Sequence, residues 1–328
     1  MISSTSNAKV KNIMNLKKSA KARKKEKCFL VEGPRMFFEI PKDRIEECYL
    51  TEEFEDKYAE ELKGWHYELI SENVCKHLSD TKTPQGVIAV VRRTEPSIEE
   101  LLHKEKNPCF FLLENLQDPG NLGTIVRTAE GAGVTGIIMN RETVDIYNPK
   151  VIRSTMGAIF RVPFVIADSL PEVIFQLKQN GVSVYAGHLK GDVFYKQDYR
   201  DGSAFLIGNE GNGLTDEITA LADHKIKIPM KGKVESLNAA VSATILMYET
   251  MRQREFILFN SPSPATVQKP VNFISHICGF GANVGCERVE RTFNTPRLKA
   301  QIWLMKFTGF VCYLLNELNR IRGFGERS

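Results

Sequence analysis

The chain has 328 residues and a mass of 37.1 kDa, with 42% apolar and 26% charged residues, which allows about two domains and excludes wholesale disorder, collagen-like repeats and a polytopic membrane protein. The net charge of +4 hides an uneven distribution. Residues 1–27 carry nine Lys/Arg against one Glu and residues 259–328 nine against four, so two basic ends flank a middle of net charge −9, and a basic end is a common footprint of a nucleic-acid partner.

The seven cysteines (28, 48, 75, 109, 278, 286 and 312) are odd in number and form no CxxC pair. They suggest reduced thiols in a cytoplasmic protein rather than a disulfide framework or a zinc site, and no metal is assigned. The N-terminus has no apolar core after its lysines, so it is not a secretory signal. The apolar run Ile302 to Leu315 is short and contains Lys306, which is against a membrane span.

In chain order, residues 7–27 predict a helix, with Val10, Ile13, Met14 and Leu16 as a loose apolar stripe among lysines. Strands are expected at 29–31, 48–50, 66–70 and 87–91, with helices at 55–63 and 71–79. A connector with a short helix at 97–104 separates this first α/β unit from a second. The second starts on the continuous apolar run Phe110 to Leu113, a pattern of buried parallel strands. Helices are expected at 124–132, 149–160, 170–180 and 236–255, and strands at 136–139, 162–166, 182–186, 204–207 and 225–229. That alternation predicts a mostly parallel sheet with helices on both faces. The boundaries expected are 1–95, a linker at 96–107, 108–258, and an extension of unassigned role at 259–328. The extension begins Ser/Pro-rich, and 297–320 could form one amphipathic helix. No internal repeat is present.

Three segments could carry chemistry. In Glu114 to Thr124, followed by Arg127, a strand runs into a polar turn with Gly120 and Gly123 and then a helix, which is where open α/β sheets place ligands. In Phe205 to Leu214, an apolar strand runs into three glycines around Glu210, a carboxylate placed to accept hydrogen bonds or to orient an arginine. In Ile226 to Ser242, a short strand ends at Pro229, and Ser236 is a candidate N-cap for a helix rich in small residues. Each alone also fits an ordinary turn or a capped core helix.

Taken together and in this order, they resemble the SpoU/TrmH branch of the SPOUT RNA methyltransferases. The resemblance rests on Asn115, Asp118, Pro119, Asn121, Gly123 and Arg127; on Gly208, Glu210 and Gly213; and on Ile228, Pro229, Met230, Gly232, Ser236, Leu237 and Asn238. The run Arg153 to Phe160 also looks familial. The resemblance covers about 108–255. More weakly, Asn7, Lys9, Lys11 and Phe29 to Gly33 resemble the family's substrate-binding domain, which is similar to ribosomal protein L30e.

The resemblance implies an α/β fold: a trefoil-knotted, mostly parallel methyltransferase domain behind a smaller L30e-like α/β domain. It implies a homodimer through the methyltransferase domain and S-adenosylmethionine-dependent methyl transfer to a ribose 2′-hydroxyl of RNA. Ribosomal RNA is favoured, with a guanosine or uridine of 23S type. Transfer RNA and a non-catalytic ribosome-assembly protein are the alternatives. The implied catalytic set is Arg127, Asn121, Glu210, Ser236 and Asn238. The implied cofactor contacts are Gly208, Asn209, Ile228, Met230, Leu237 and Asn238. Lys9, Lys11, Lys17, Lys18, Arg23 and Lys24 are the expected RNA contacts. Guanidinium groups stay protonated in proteins, so Arg127 is expected to clamp a phosphate and the developing alkoxide, with Glu210 orienting it or its neighbours.

Overall fold

The computed structural model describes residues 1–234 and 236–260, with side chains to residue 255. The basic N-terminus forms two helices, α1 (Ala8–Lys18) and α2 (Ala20–Glu26), where one was expected. Ser19 causes the break. It is extended, and its hydroxyl accepts from Ala22 N, which caps α2. There follow β1 (Cys28–Glu32), α3 (Pro34–Phe37), β2 (Ile45–Leu50), α4 (Glu52–Lys57), β3 (Glu68–Leu69), α5 (Glu72–Leu78) and β4 (Val87–Arg92). They build a mixed four-stranded sheet in the order β1-β4-β2-β3. Alternation along the strands divides its two faces. Leu30, Tyr49, Ile88 and Val90 pack under Val10, Ile13 and Leu16 of α1 and Val74 and Leu78 of α5. Phe29, Val31, Cys48, Leu50, Ala89 and Val91 face the other way.

After α6 (Ile98–Leu102), the chain forms β5 (Cys109–Leu113), α7 (Pro119–Gly131), β6 (Gly136–Asn140), α8 (Pro149–Thr155), β7 (Phe164–Ala167), α9 (Leu170–Gln179), β8 (Ser183–Val193), β9 (Ser203–Ile207), α10 (Asp216–Ala220), β10 (His224–Lys227) and α11 (Ala239–Asn260). All six strands pair in parallel, in the order β10-β8-β9-β5-β6-β7. Phe110, Leu112, Ile138 and Leu206 face α6, α9 and α10, while Phe111, Leu113, Ile137, Met139 and Phe205 face α7, α8 and α11. From β5 the chain moves outward through β6 to β7, then returns to lay β8 and β9 on the other flank. The direction therefore reverses between β5 and β9, and such a switch point opens a crevice at the carboxyl ends of the strands.

Several helix boundaries differ from expectation. The helix expected at 55–63 forms as Glu52–Lys57, because Thr51 caps it by accepting from Phe54 N. α7 starts at Pro119 rather than 124, because Asp118 caps it by accepting from Asn121 N and Pro119 supplies a preset first turn. The helix expected at 149–160 stops at Thr155, where Met156 and Gly157 take positive φ, and resumes as a 3-10 turn at Ala158–Phe160. α11 starts at Ala239 and runs to Asn260. The expected helix at 297–320, the rest of the extension with Cys278, Cys286 and Cys312, and its boundary role lie outside the described residues.

The inner faces of both sheets contribute to one apolar cluster. At the junction the Phe29 and Tyr147 rings lie 4.8 Å apart, and Tyr147 Oη donates to Thr94 O at 3.1 Å. Arg23, only 4% exposed, donates from Nε (2.9 Å) and Nη2 (2.5 Å) to Asp145 Oδ2, and from Nη1 to Leu16 O (2.7 Å) and Lys17 O (3.1 Å). Lys17 donates to Leu78 O and Ser79 O, each at 2.8 Å, and pairs with Asp80, which Arg153 of α8 also approaches. Arg161 ties Glu39 to Glu130. Arg23→Met should therefore cost about 3 kcal/mol, the lower end for breaking a buried pair because Asp145 keeps some water. Urea unfolding checks this, and a change below about 1 kcal/mol would contradict it.

Candidate active site

The loops after β5 and β9 leave adjacent strands, since Leu113 pairs with Ile207. They are joined by side chains. Glu210 accepts from Gln117 N (3.0 Å) at one oxygen, and from Asp118 N (2.9 Å) and Asn121 Nδ2 (3.0 Å) at the other. Asn121 is buried, and its Oδ1 accepts from Asn238 Nδ2 at 2.9 Å. Asn238, Asn121 and Glu210 thus form one relay across all three loops. Burial pushes the Glu210 carboxyl up, but the bonds from Asn121, Gln117 and Asp118 outweigh it and hold the group below its ordinary 4.5. Its contribution is full above that ordinary value and is lost as pH falls through the lowered one. Glu210→Gln should therefore lower the thermal midpoint at pH 7, and the gap from wild type should close only as pH falls below the ordinary 4.5. A gap already closed at pH 6 would exclude the carboxylate form as the source.

The turn after β9 leaves no room for a side chain at Gly208. A Cβ on Gly208 would lie 2.1 Å from Gly213 C and 2.3 Å from Leu214 N. Asn209 and Gly213 exchange backbone bonds of 3.0 and 2.9 Å. The Asn209 amide donates to Asn115 O (2.8 Å) and accepts from Gly211 N and Asn212 N. Asn209, expected among the cofactor contacts, closes the turn through these bonds. Gly123 lets α7 meet α8, since a Cβ there would lie 1.7 Å from Ser154 Oγ.

Asn238, not Ser236, caps α11: its Oδ1 accepts from Ala240 N (2.9 Å) and Val241 N (3.3 Å). Ser236 is exposed and makes no hydrogen bond to the described residues. The Met230 and Leu237 backbones likewise make none among them, so their N–H and C=O groups are available to a ligand. Ile228 follows directly on β10.

Arg127 projects from the middle of α7. It is exposed and has no hydrogen bond or ion pair among the described residues. Glu210 makes no bond to Arg127; of the two roles expected for it, orienting Arg127 or its neighbours, its bonds go to the neighbours Gln117, Asp118 and Asn121 and fix the loop that launches α7.

Sequence reasoning missed the lower layer of the site. Glu114, 5% exposed, accepts from Thr215 N (2.9 Å) and Thr215 Oγ1 (2.7 Å), holding the start of α10. Asn115, at φ 55°, exchanges bonds of 3.0 and 2.8 Å with the Asn140 side chain, and Thr143 Oγ1 donates to Asn140 Oδ1 at 2.8 Å. An acid ending an apolar strand was the available signal for Glu114. For Asn140 there was none.

On the basic helices the expected RNA contacts divide. Lys11, Lys18 and Lys24 are exposed and unpaired among the described residues, as are Lys21 and Lys25, which were not singled out. Lys9 pairs with Glu68. Arg23 and Lys17 are committed to the fold and are corrected, because burial and their carbonyl and carboxylate partners remove them from a solvent-facing role. Burial pushes the thiols of Cys48 and Cys109 up to about 12 and Cys75 to about 11, so these are inert apolar groups. No helix among the described residues is long and apolar enough to cross a membrane.

With this geometry described, comparison with known proteins is decisive. Residues 108–248 match the model of the SpoU rRNA Methylase family, and residues 7–89 match the MRM3-like substrate binding domain. The 23S rRNA (guanosine(2553)-2′-O)-methyltransferase RlmP of Bacillus subtilis is 34% identical over 251 residues, covering 75% of this chain and 97% of its own length.

The chain belongs to the SpoU rRNA methylase family.

Other SpoU-type proteins agree. The SpoU methyltransferase AviRb from Streptomyces viridochromogenes, solved in complex with the cofactor AdoMet, superposes with a TM-score of 0.69 at 28% identity, covering 76% of this chain and 98% of its own. The AdoMet-bound rRNA methyltransferase from Sinorhizobium meliloti gives 0.67 at 28% identity, covering 76% and 97%.

Proposed function

We propose that this SpoU-family chain transfers a methyl group from S-adenosylmethionine to a ribose 2′-hydroxyl of 23S-type ribosomal RNA. The observation that carries the reading is the relay from Asn238 through Asn121 to Glu210, which joins the three family loops at the switch point, with Arg127, unpaired among the described residues, on the helix that starts from the first loop. The fit to the cofactor rests on the Met230 and Leu237 backbone groups, which have no partner among the described residues, and on the tight Gly208 turn, where backbone rather than side chain borders the loop. Gly208, Ile228, Met230, Leu237 and Asn238 would hold it. When bound, it supplies an electrophilic methyl group, leaving S-adenosylhomocysteine and a proton. The protein must then hold the 2′-oxygen in line and accommodate the proton. Arg127 clamps a substrate phosphate and stabilises charge growing on the 2′-oxygen, and that phosphate shares the proton on its way to solvent. Ser236, with its free hydroxyl, touches the substrate.

The same reading divides the chain at 1–95, 96–107, 108–258 and 259–328, with an L30e-like first unit that carries the RNA lysines. It includes a trefoil knot formed by the second and third loops: after β10 at the sheet edge, the chain returns to dock Asn238 on Asn121 at the sheet centre. It includes a homodimer through the methyltransferase unit, with exposed Val241 on α11 in keeping, and a cytoplasmic setting, in keeping with the free thiols of Cys28, Cys48, Cys75 and Cys109 among the described residues.

The test is tritiated methyl transfer to separated ribosomal and transfer RNA from cells lacking the protein, followed by digestion to nucleosides. A labelled 2′-O-methylnucleoside from 23S rRNA is the expected product. Label in transfer RNA alone would move the substrate, and label on a base would remove the ribose assignment.

A further inference from the structure

The middle of the chain is acidic in sum, yet β10 and its surroundings form a basic patch. On β10, Ile226 is buried while Lys225 and Lys227 are exposed on its two sides. β10 is an edge strand. Its partner β8 is irregular: pairing passes from Lys225 with Ala186 to Ile226 with Asp192, leaving residues 187–191 without a partner on β10. Gly191 permits this, because a Cβ there would lie 2.5 Å from the Lys225 carbonyl carbon and from Ile226 N. The bulge therefore sets exposed Lys190 beside Lys225. Lys196 follows shortly after β8, and Lys231 and Lys233 lie on the loop after β10 that leads to Leu237 and Asn238. None of these six lysines has an ion pair among the described residues. Tyr195, next to Lys196 in the chain, is 53% exposed. The nearby carboxylates do not neutralise the patch. Asp223 is taken by Lys178 and Val184 N, which leaves Asp192 as the acid opposite β10.

We propose that the β10 edge, the 187–191 bulge and the loop after β10 form a second RNA-backbone surface, on the cofactor-loop side of the crevice. This rests on the RNA-methylating reading above. Charge complementarity selects the occupant: the patch is cationic, the N-terminal helices and the 259–328 segment are cationic too, and RNA supplies the opposite charge with bases that can stack on Tyr195. Substrate RNA is thus gripped on both sides of the reacting ribose, by Lys18 and Lys24 on one side and by Lys190, Lys225 and Lys231 on the other.

The test is lysine acetylation of the full-length protein, read by mass spectrometry, with and without a 23S rRNA transcript at low salt. Acetylation of Lys190, Lys225, Lys227 and Lys231 should fall at least about threefold with RNA and recover in high salt, while Lys57 and Lys63 stay unchanged. Protection of Lys18 and Lys24 without the β10 lysines would overturn this inference alone. Protection of neither set would overturn the RNA reading itself. Slow acetylation of the β10 lysines before RNA is added would assign the surface to a second copy of the chain and overturn the inference as well. In a Lys190→Gln/Lys225→Gln variant, the slope of log affinity against log salt should fall by about 1.5, with S-adenosylmethionine binding unchanged. An unchanged slope overturns the proposal.

Discussion

Arg127→Ala should reduce kcat for methyl transfer by about 10²–10³-fold, the range for removing a donor aimed at developing negative charge. The fold should not notice. Arg127 is exposed and bonds to none of the described residues, so unfolding free energy should stay within about 0.5 kcal/mol of wild type. Affinity for S-adenosylmethionine should also be kept, because the proposed cofactor contacts come from the loops after β9 and β10. Arg127→Lys should recover only part of the rate, since an ammonium keeps the charge but not the planar fork that spans a phosphate. Single-turnover rates with 23S rRNA, together with calorimetric cofactor binding, check the set. An Ala variant within twofold of wild type would remove Arg127 from the chemistry.

Gly208→Ala should be the most damaging small substitution at the site. The added carbon meets backbone atoms of Gly213 and Leu214 at 2.1–2.4 Å, and backbone cannot rotate aside as a side chain can. Relief requires opening the turn that Asn209 and Gly213 close between them. That turn carries Glu210, so its bonds to Gln117, Asp118 and Asn121 are strained as well. Overpacking of this kind, with loss of part of a charged hydrogen-bond set, costs about 3 kcal/mol. Cofactor affinity should fall at least about tenfold, in line with even half of that cost reaching the binding loops. Gly211→Ala is the internal control, since its added carbon finds only Asn209 Oδ1 at an ordinary 3.5 Å. If the two variants show equal thermal midpoints, the steric account is wrong.

The parallel sheet was legible because Phe110 to Leu113 and Phe205 to Ile207 are unbroken apolar runs, and such runs are buried on both faces. The motif residues were legible because their order and spacing match a family. Their partners were less so. Glu210 was legible as a carboxylate placed to accept hydrogen bonds or orient an arginine, but its donors, two backbone N–H groups and an amide, are ones that only the folded loop brings together. Arg23 and Lys17 sit among solvent-facing lysines in the sequence, and nothing local distinguishes them. What buries Arg23 is Asp145, more than a hundred residues away. Ser236 is a good cap by type, yet Asn238 reaches the free N–H groups of α11 from the helix's own threshold. Long-range partners decide these cases, and a pattern of neighbours along the chain carries no record of them.

The shared apolar cluster and the Arg23–Asp145 pair have a geometric consequence. That packing ties the lysine-bearing helices to the unit that carries Arg127. If those lysines grip RNA, as proposed, the span from grip to Arg127 is set by the fold like that of a calliper, and distance selects the ribose along with base identity. The Arg23→Met protein would open the calliper, and its methylation, mapped along 23S rRNA, would spread from one ribose to its neighbours rather than simply weaken.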